Sequence, residues 1–181
     1  MKKAVFLDRD GVINKTFIVN GVPTPARSLD DLQILPKVDA ALKILRRLEF
    51  EIVVVTNQPD VSRSVLTREM VYSLHQRLEL ELGIKYFYTC FHDDIDDCLC
   101  RKPKPGLLNL AAADLDIDLK QSFMIGDRWR DISAGQSAGC RCFFIDYAHS
   151  EKQPQMPYVG VSSLFDAVQI ILEEFHDNTG N

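Results

Sequence analysis

Two carboxylates set two residues apart, Asp8 and Asp10, end the apolar run Ala4-Val5-Phe6-Leu7, and Gly11 follows them. In extended backbone, positions i and i+2 point to the same side, so both carboxylates can face one cavity. Like charges held that close require a cation or a shared proton. Alone, Asp-Arg-Asp-Gly also reads as a polar turn, because Asp-Gly is a strong turn signal. Other apolar runs end in similar chemistry. Thr56 and Asn57 follow Ile52-Val53-Val54-Val55, and Gly126-Asp127 follows Phe123-Met124-Ile125. The oxygens of Asp8, Asp10 and Asp127 are hard ligands that suit Mg2+, an ion that keeps waters and partners phosphate. Thr56 and Asn57 offer hydroxyl, amide and N–H donors to phosphoryl oxygens. Arg101 and Lys102, in the proline-rich stretch Arg101-Lys102-Pro103-Lys104-Pro105-Gly106, add fixed positive charge. Phosphoryl transfer asks for this set, since stabilising spread negative charge is most of the work. A carboxylate can also act as nucleophile through an aspartyl-phosphate. There is no Gly-rich Walker loop and no Rossmann fingerprint, so neither nucleoside triphosphate nor dinucleotide binding is indicated.

A second constellation lies just before that cationic stretch: Cys90, His92, Cys98 and Cys100. Three thiolates and one imidazole match a closed tetrahedral structural site for Zn2+. Such a site has no position left for water, so it is expected to pin the loop presenting Arg101 and Lys102 rather than do chemistry. Incidental buried cysteines are the alternative. Five cysteines without an export signal do not suggest a disulfide framework. Cys140 and Cys142 are expected to pack on or beside the last central strand, His75 and His149 to sit at the solvated surface, and Trp129 to cover the core, with packing over the mouth of the site as the alternative.

The elements that must position these groups alternate. Strands are expected at residues 4–7, 52–55, 86–88, 123–125 and 142–145, with a short edge strand at Val159–Val161. A short hairpin is expected at Thr16–Val22. Helices are expected from Pro36 to about Glu49, from an N-cap at Thr67 to Gly83, over Pro105–Leu115 with Leu107, Leu108, Leu110 and Ala111 inward, from about Asp131 to Gly139, and from a Ser163 cap through Phe175. The tail Asp177–Asn181 reads as frayed. Strands alternating with helices predict an α/β domain with a mostly parallel sheet and helices on both faces. Ligands in such sheets bind at the carboxyl ends of the strands, where all three sets of chemical residues fall.

A chain of 181 residues, 46% hydrophobic and 26% charged, fits one globular domain, 1–181, with a sizeable core. A net charge of −5 argues against nucleic-acid binding through a basic face but leaves room for a local phosphate site. No run approaches the roughly 18 apolar residues of a membrane span, and the first strand begins too early for a signal peptide. The expectation is a cytoplasmic protein, a monomer, with a small-molecule partner and neither nucleic acid nor membrane.

Taken together, Asp8-Arg9-Asp10-Gly11, Thr56-Asn57, Lys102 ahead of Pro103-Lys104-Pro105, and Gly126-Asp127 with Asp131 four residues on resemble the haloacid dehalogenase superfamily of phosphatases. More narrowly, Phe6 to Asn14, Val55-Thr56-Asn57-Gln58 and the Cys/His cluster resemble its branch of D-glycero-D-manno-heptose-1,7-bisphosphate phosphatases and histidinol-phosphatase domains. The resemblance implies a Rossmann-like sheet with a minimal cap. It implies Asp8 as nucleophile, Asp10 as general acid and then base, and Mg2+ held by Asp8, the Asp10 carbonyl and Asp127. Thr56, Asn57 and Lys102 would hold the phosphoryl group, and Arg101 would contact the substrate. Asp131 would orient Lys102 or a metal-bound water, or else simply complement a helix N-terminus. The implied substrate is a phosphorylated sugar, cleaved at the C7 phosphate of the heptose bisphosphate. Histidinol phosphate is the alternative substrate, and a phospho-accepting signalling module without turnover is the alternative class. The segment Pro59–Ser64 departs from the family's Ser-Gly-containing loop, which bears on substrate identity rather than on chemistry.

Overall fold

The computed structural model describes residues 1–19, 22–148 and 151–179. In chain order the elements are β1 (Ala4–Leu7), β2 (Phe17–Val19), β3 (Val22–Thr24), α1 (Val38–Arg47), β4 (Glu51–Asn57), α2 (Arg68–Leu82), β5 (Tyr86–Cys90), α3 (Gly106–Leu115), β6 (Phe123–Gly126), α4 (Trp129–Ala138), β7 (Arg141–Ile145), β8 (Val159–Val161) and α5 (Leu164–Thr179). Six strands form one sheet in the order β5-β4-β1-β6-β7-β8, and every adjacent pair is parallel. The sequence expectation of an α/β fold with helices on both faces is met.

The pleat of β1 divides the core in two. Val5 and Leu7 pack with α1, the C-terminal half of α2 and α5, while Ala4 and Phe6 pack with α3 and α4. All four are fully buried, and burying a large apolar side chain contributes about 1.5–3 kcal/mol. This explains the unbroken apolar run: a strand covered on both faces has no polar side to show. Because β1 lies between β4 and β6, Asp8 emerges between the ends of both neighbours.

Local signals hold at several helix ends. Thr67 Oγ1 accepts from the Met70 N–H at 3.2 Å, and Gly83 closes α2 in the left-handed region with its N–H on Glu79 O. Ser163 Oγ accepts from the Asp166 N–H at 3.1 Å to start α5. Some expectations shift. Helix α1 begins at Val38, after Lys37 in a left-handed conformation, rather than at Pro36. Leu110 is exposed, since Leu107, Leu108 and Ala111 already fill the buried face of α3. The hairpin runs on to Thr24, with Pro23 tolerated in a two-stranded ladder that has free edges. Helix α5 continues through Thr179, past the expected start of the frayed tail at Asp177. His149 and residues 180–181 lie outside the described residues.

Candidate active site

The carboxyl edge of the sheet opens into a cleft of about 390 Å3 whose wall includes Asp8, Asp10, Asn57, Arg101, Lys102 and Asp131. Carboxylate oxygens of Asp8, Asp127 and Asp131 lie within 4.8 Å of one another, and all three residues are buried. Burial, and then the charges of Asp131, Asp127 and Asp10, push the Asp8 carboxyl above the usual carboxylate range, with Lys102 working against them. Lys102 is itself only 2% exposed. Its Nζ donates to Asp8 Oδ1 at 2.7 Å and to Val55 O at 2.7 Å, and pairs with Asp131 Oδ1 at 2.6 Å. Three donors thus meet three acceptors. Burial alone would lower the ammonium's pKa; Asp131 and Asp8 outweigh it and hold the pKa up. Removing the ammonium itself would leave buried carboxylates uncompensated, which costs about 3–5 kcal/mol.

Three buried carboxylates against one ammonium leave excess negative charge, carried by hard oxygens. That donor set fits a divalent cation such as Mg2+. The surrounding backbone is shaped for close approach. Gly11 adopts φ +89°, and a Cβ placed there would lie 2.2 Å from Asp127 Oδ2. A Cβ on Gly126 would lie 2.2 Å from the Asp131 Cβ. Asp131 pairs with Lys102 through Oδ1, while its Oδ2 accepts from the Arg128 N–H at 3.0 Å near the start of α4. The Asp10 carboxylate lies outside the three-acid group. Its Oδ1 accepts from Asn14 Nδ2 at 2.9 Å, and its Oδ2 from Gln58 Nε2 at 2.9 Å and Arg9 Nη2 at 2.8 Å.

Thr56 and Asn57 sit at the end of β4, as expected, but their side chains are engaged. Thr56 Oγ1 accepts from Gln58 Nε2 at 2.9 Å. Asn57 Nδ2 donates to Lys102 O at 3.0 Å while Asn57 Oδ1 accepts from the Lys102 N–H at 3.1 Å.

The Cys/His residues gather in one place. Sulfur–sulfur distances among Cys90, Cys98 and Cys100 are 3.3, 3.4 and 3.7 Å, and His92 Nδ1 lies 3.6 Å from Cys90 Sγ and 3.3 Å from Cys100 Sγ. A tetrahedron of ligands about 2.3 Å from a zinc ion has edges of about 3.8 Å, so these four groups fit that ion. All five cysteines are free, and Cys140 and Cys142 are buried beside and in β7. Arg101, one residue beyond the cluster, lines the cleft, but its Nε donates to Asp94 Oδ1 at 2.8 Å and its Nη1 to His92 O at 3.2 Å. Arg130 Nη1 shares Asp94 at 2.9 Å, and Arg63 binds Asp93 at 2.7 Å. The Arg63 hydrogen bond holds the Asp93 carboxyl down at about 2. The departing segment Pro59–Ser64 therefore places Arg63 on this rim, and its Asp60 pairs with Arg27 at 2.9 Å.

Two expectations are corrected. His75 is 6% exposed, not solvated, because the spacing of α2 turns it inward beside Leu74 and Leu78 and its ring stacks on Phe87. Trp129 takes the alternative placement, half-buried on the cleft wall beside the side chains of Arg130 and Lys152, rather than covering the core. The support around Asp10, made by Arg9, Asn14 and Gln58, was missed altogether. The one available signal was a cation placed between two carboxylates.

A family model described as haloacid dehalogenase-like hydrolase matches residues 25–139. The chain is 34% identical, over 93% of its length and 96% of the relative, to the D-glycero-alpha-D-manno-heptose-1,7-bisphosphate 7-phosphatase of Photorhabdus laumondii. It is 37% identical to a D-glycero-beta-D-manno-heptose-1,7-bisphosphate 7-phosphatase of Helicobacter pylori, over 75% of this chain and 79% of that one. Among solved structures, the D,D-heptose 1,7-bisphosphate phosphatase of B. bronchiseptica, complexed with magnesium and phosphate, superposes with a TM-score of 0.81 at 26% identity, covering 95% of this chain and 99% of that one.

Proposed function

The chain belongs to the haloacid dehalogenase-like hydrolases and is a phosphoric monoester hydrolase, and from that premise we propose that it removes the C7 phosphate of D-glycero-D-manno-heptose 1,7-bisphosphate. The observation that carries the reading is the buried group of Asp8, Asp127 and Asp131 oxygens with Lys102 among them, opening on a cleft rimmed by arginines. The named activities of relatives spanning most of the chain support the choice of sugar.

In this reading Asp8 attacks phosphorus and the bond to the sugar oxygen breaks, while Asp10 gives that oxygen its proton. Water then surrenders a proton to Asp10 and attacks the aspartyl-phosphate, freeing inorganic phosphate and the Asp8 carboxylate. Asp8, the Asp10 carbonyl and Asp127 would hold Mg2+, which supplies positive charge against the phosphoryl oxygens. Lys102 neutralises Asp8 between turnovers and can exchange a donor onto the phosphoryl group, with Thr56 and Asn57 at the neighbouring strand end. Asp131 holds that ammonium in place. Arg101, the zinc-pinned neighbour of Lys102, faces the second phosphate of the substrate. Cys90, His92, Cys98 and Cys100 would hold Zn2+ as a structural ion. Residues 1–181 then make one phosphatase domain with a minimal cap, acting on a small phosphorylated sugar. Among the described residues no helix is long and apolar enough to cross a membrane.

The test is phosphate release over both anomers of the heptose bisphosphate, histidinol phosphate and simple monophosphates, with Asp8→Asn alongside. A marked preference for the bisphosphate is expected, abolished by the substitution. A preference for histidinol phosphate would move the substrate assignment, and near-wild-type turnover by Asp8→Asn would overturn the covalent route.

A further inference from the structure

Arg9 stands between the two proposed catalytic carboxylates in sequence, yet its side chain is fully buried. A buried guanidinium has to be paired, and two edges of this one do different things. Nε and Nη2 both reach Asp10 Oδ2, at 3.2 and 2.8 Å. Nη1 reaches the opposite way, to His75 Nε2 at 3.4 Å. Arginine can only donate, so Nε2 is the acceptor and the ring carries its proton on Nδ1. The ring is stacked on Phe87 with centroids 4.5 Å apart and planes at 12°, which fixes it between α2 and β5. Burial, and then the Arg9 charge, lower its pKa to about 3, so it remains neutral and able to accept.

We propose that His75 is a positioning residue for the hydrolysis: its ring fixes the Arg9 guanidinium and, through it, the Asp10 carboxylate. This rests on the acid–base role of Asp10 given above. Among the described residues, helix α2 has no other polar route to Asp10 through the hydrogen bonds of that carboxylate, whose remaining donors are Asn14 and Gln58. A guanidinium released from its distal acceptor is free to rock about its bond to Asp10. Misplacing an acid–base group by a fraction of an ångström lowers turnover without touching substrate affinity.

The variants separate positioning from packing. His75→Phe keeps an aromatic ring to stack on Phe87 and removes the acceptor, whereas His75→Gln restores an acceptor oxygen without the ring. His75→Phe is expected to lose about tenfold in kcat with KM nearly unchanged, and His75→Gln to recover most of that loss. In an Asp10→Asn background, His75→Phe should change kcat by less than about twofold, because no carboxylate remains to be positioned. If His75→Phe does not fold, His75→Asn, whose shorter side chain stops short of Nη1, takes its place. Wild-type kcat in the acceptor-free variant would overturn the proposal. So would kcat that follows melting temperature instead of the acceptor, or full additivity with Asp10→Asn. Wild-type turnover by Asp10→Asn itself would instead remove the role assigned to Asp10, a result distinct from any of these.

Discussion

Asn57 and Lys102 exchange two hydrogen bonds, Nδ2 to the Lys102 carbonyl at 3.0 Å and the Lys102 N–H to Oδ1 at 3.1 Å. The amide at the end of β4 thereby grips the backbone of the residue whose ammonium touches Asp8. Asn57→Ala should let the Lys102 loop drift, lowering kcat by about 10–100-fold while costing only about 1–3 kcal/mol of stability. Steady-state kinetics beside chemical denaturation separate the two effects. A loss in stability with kcat unchanged would show that the grip is only structural.

The Cys/His group predicts about one zinc per chain by metal analysis. Cys98→Ala should lower the unfolding midpoint and the zinc content together, leaving the turnover of molecules still folded much less affected. A metal-free protein that is equally stable and active would refute a structural zinc.

Arg101→Lys should cut kcat/KM for the heptose bisphosphate far more than for a small phosphoester. A planar guanidinium can clamp a phosphate bidentately, and an ammonium cannot. In the free protein this guanidinium rests on Asp94, so substrate must draw it away from that carboxylate. Asp94→Asn is accordingly expected to lower KM modestly. Equal losses on both substrates for Arg101→Lys would reduce Arg101 to its ion pair.

His75 predicts a pH dependence of stability. The unfolded chain takes a proton on this ring below its ordinary pKa of 6.5, while the folded chain refuses it until about 3. Between those values the unfolded state binds more protons, so this contribution to stability is complete above 6.5 and falls as the pH falls. The slope approaches ~1.4 kcal/mol per pH unit for one proton. His75→Gln should lack that slope. Parallel stability curves for wild type and variant between pH 6 and 4 would contradict a buried neutral imidazole.

Much of this was legible in the chain. Strands buried on both faces print as unbroken apolar runs, so β1, β4 and β6 and the chemistry at their ends could be read together. The Cys/His cluster is short-range and declares itself by spacing. What could not be read is contact between elements distant in sequence. Nothing in α2 marks His75 as the partner of Arg9, 66 residues away. Likewise nothing near Asn57 in the sequence shows that its side-chain amide is held by the Lys102 backbone, 45 residues on. Leu110 failed for a different reason: a helix rich in leucine on every side hides which face is buried.

The pairing of Arg9 with Asp10 bears on how this site could be lost. Asp8 can become asparagine with its ammonium neighbour still held by Asp131, so the proposed nucleophile can disappear from a descendant without much harm to the fold. Loss of Asp10 alone costs more stability, since the fully buried Arg9 loses its charged counter-ion, although an asparagine there still offers the guanidinium an acceptor oxygen. Inactive descendants should therefore keep Arg9 and Asp10 together or shed both, and a single-residue Asp10 knockout makes a poorer inert trap for substrate than Asp8→Asn.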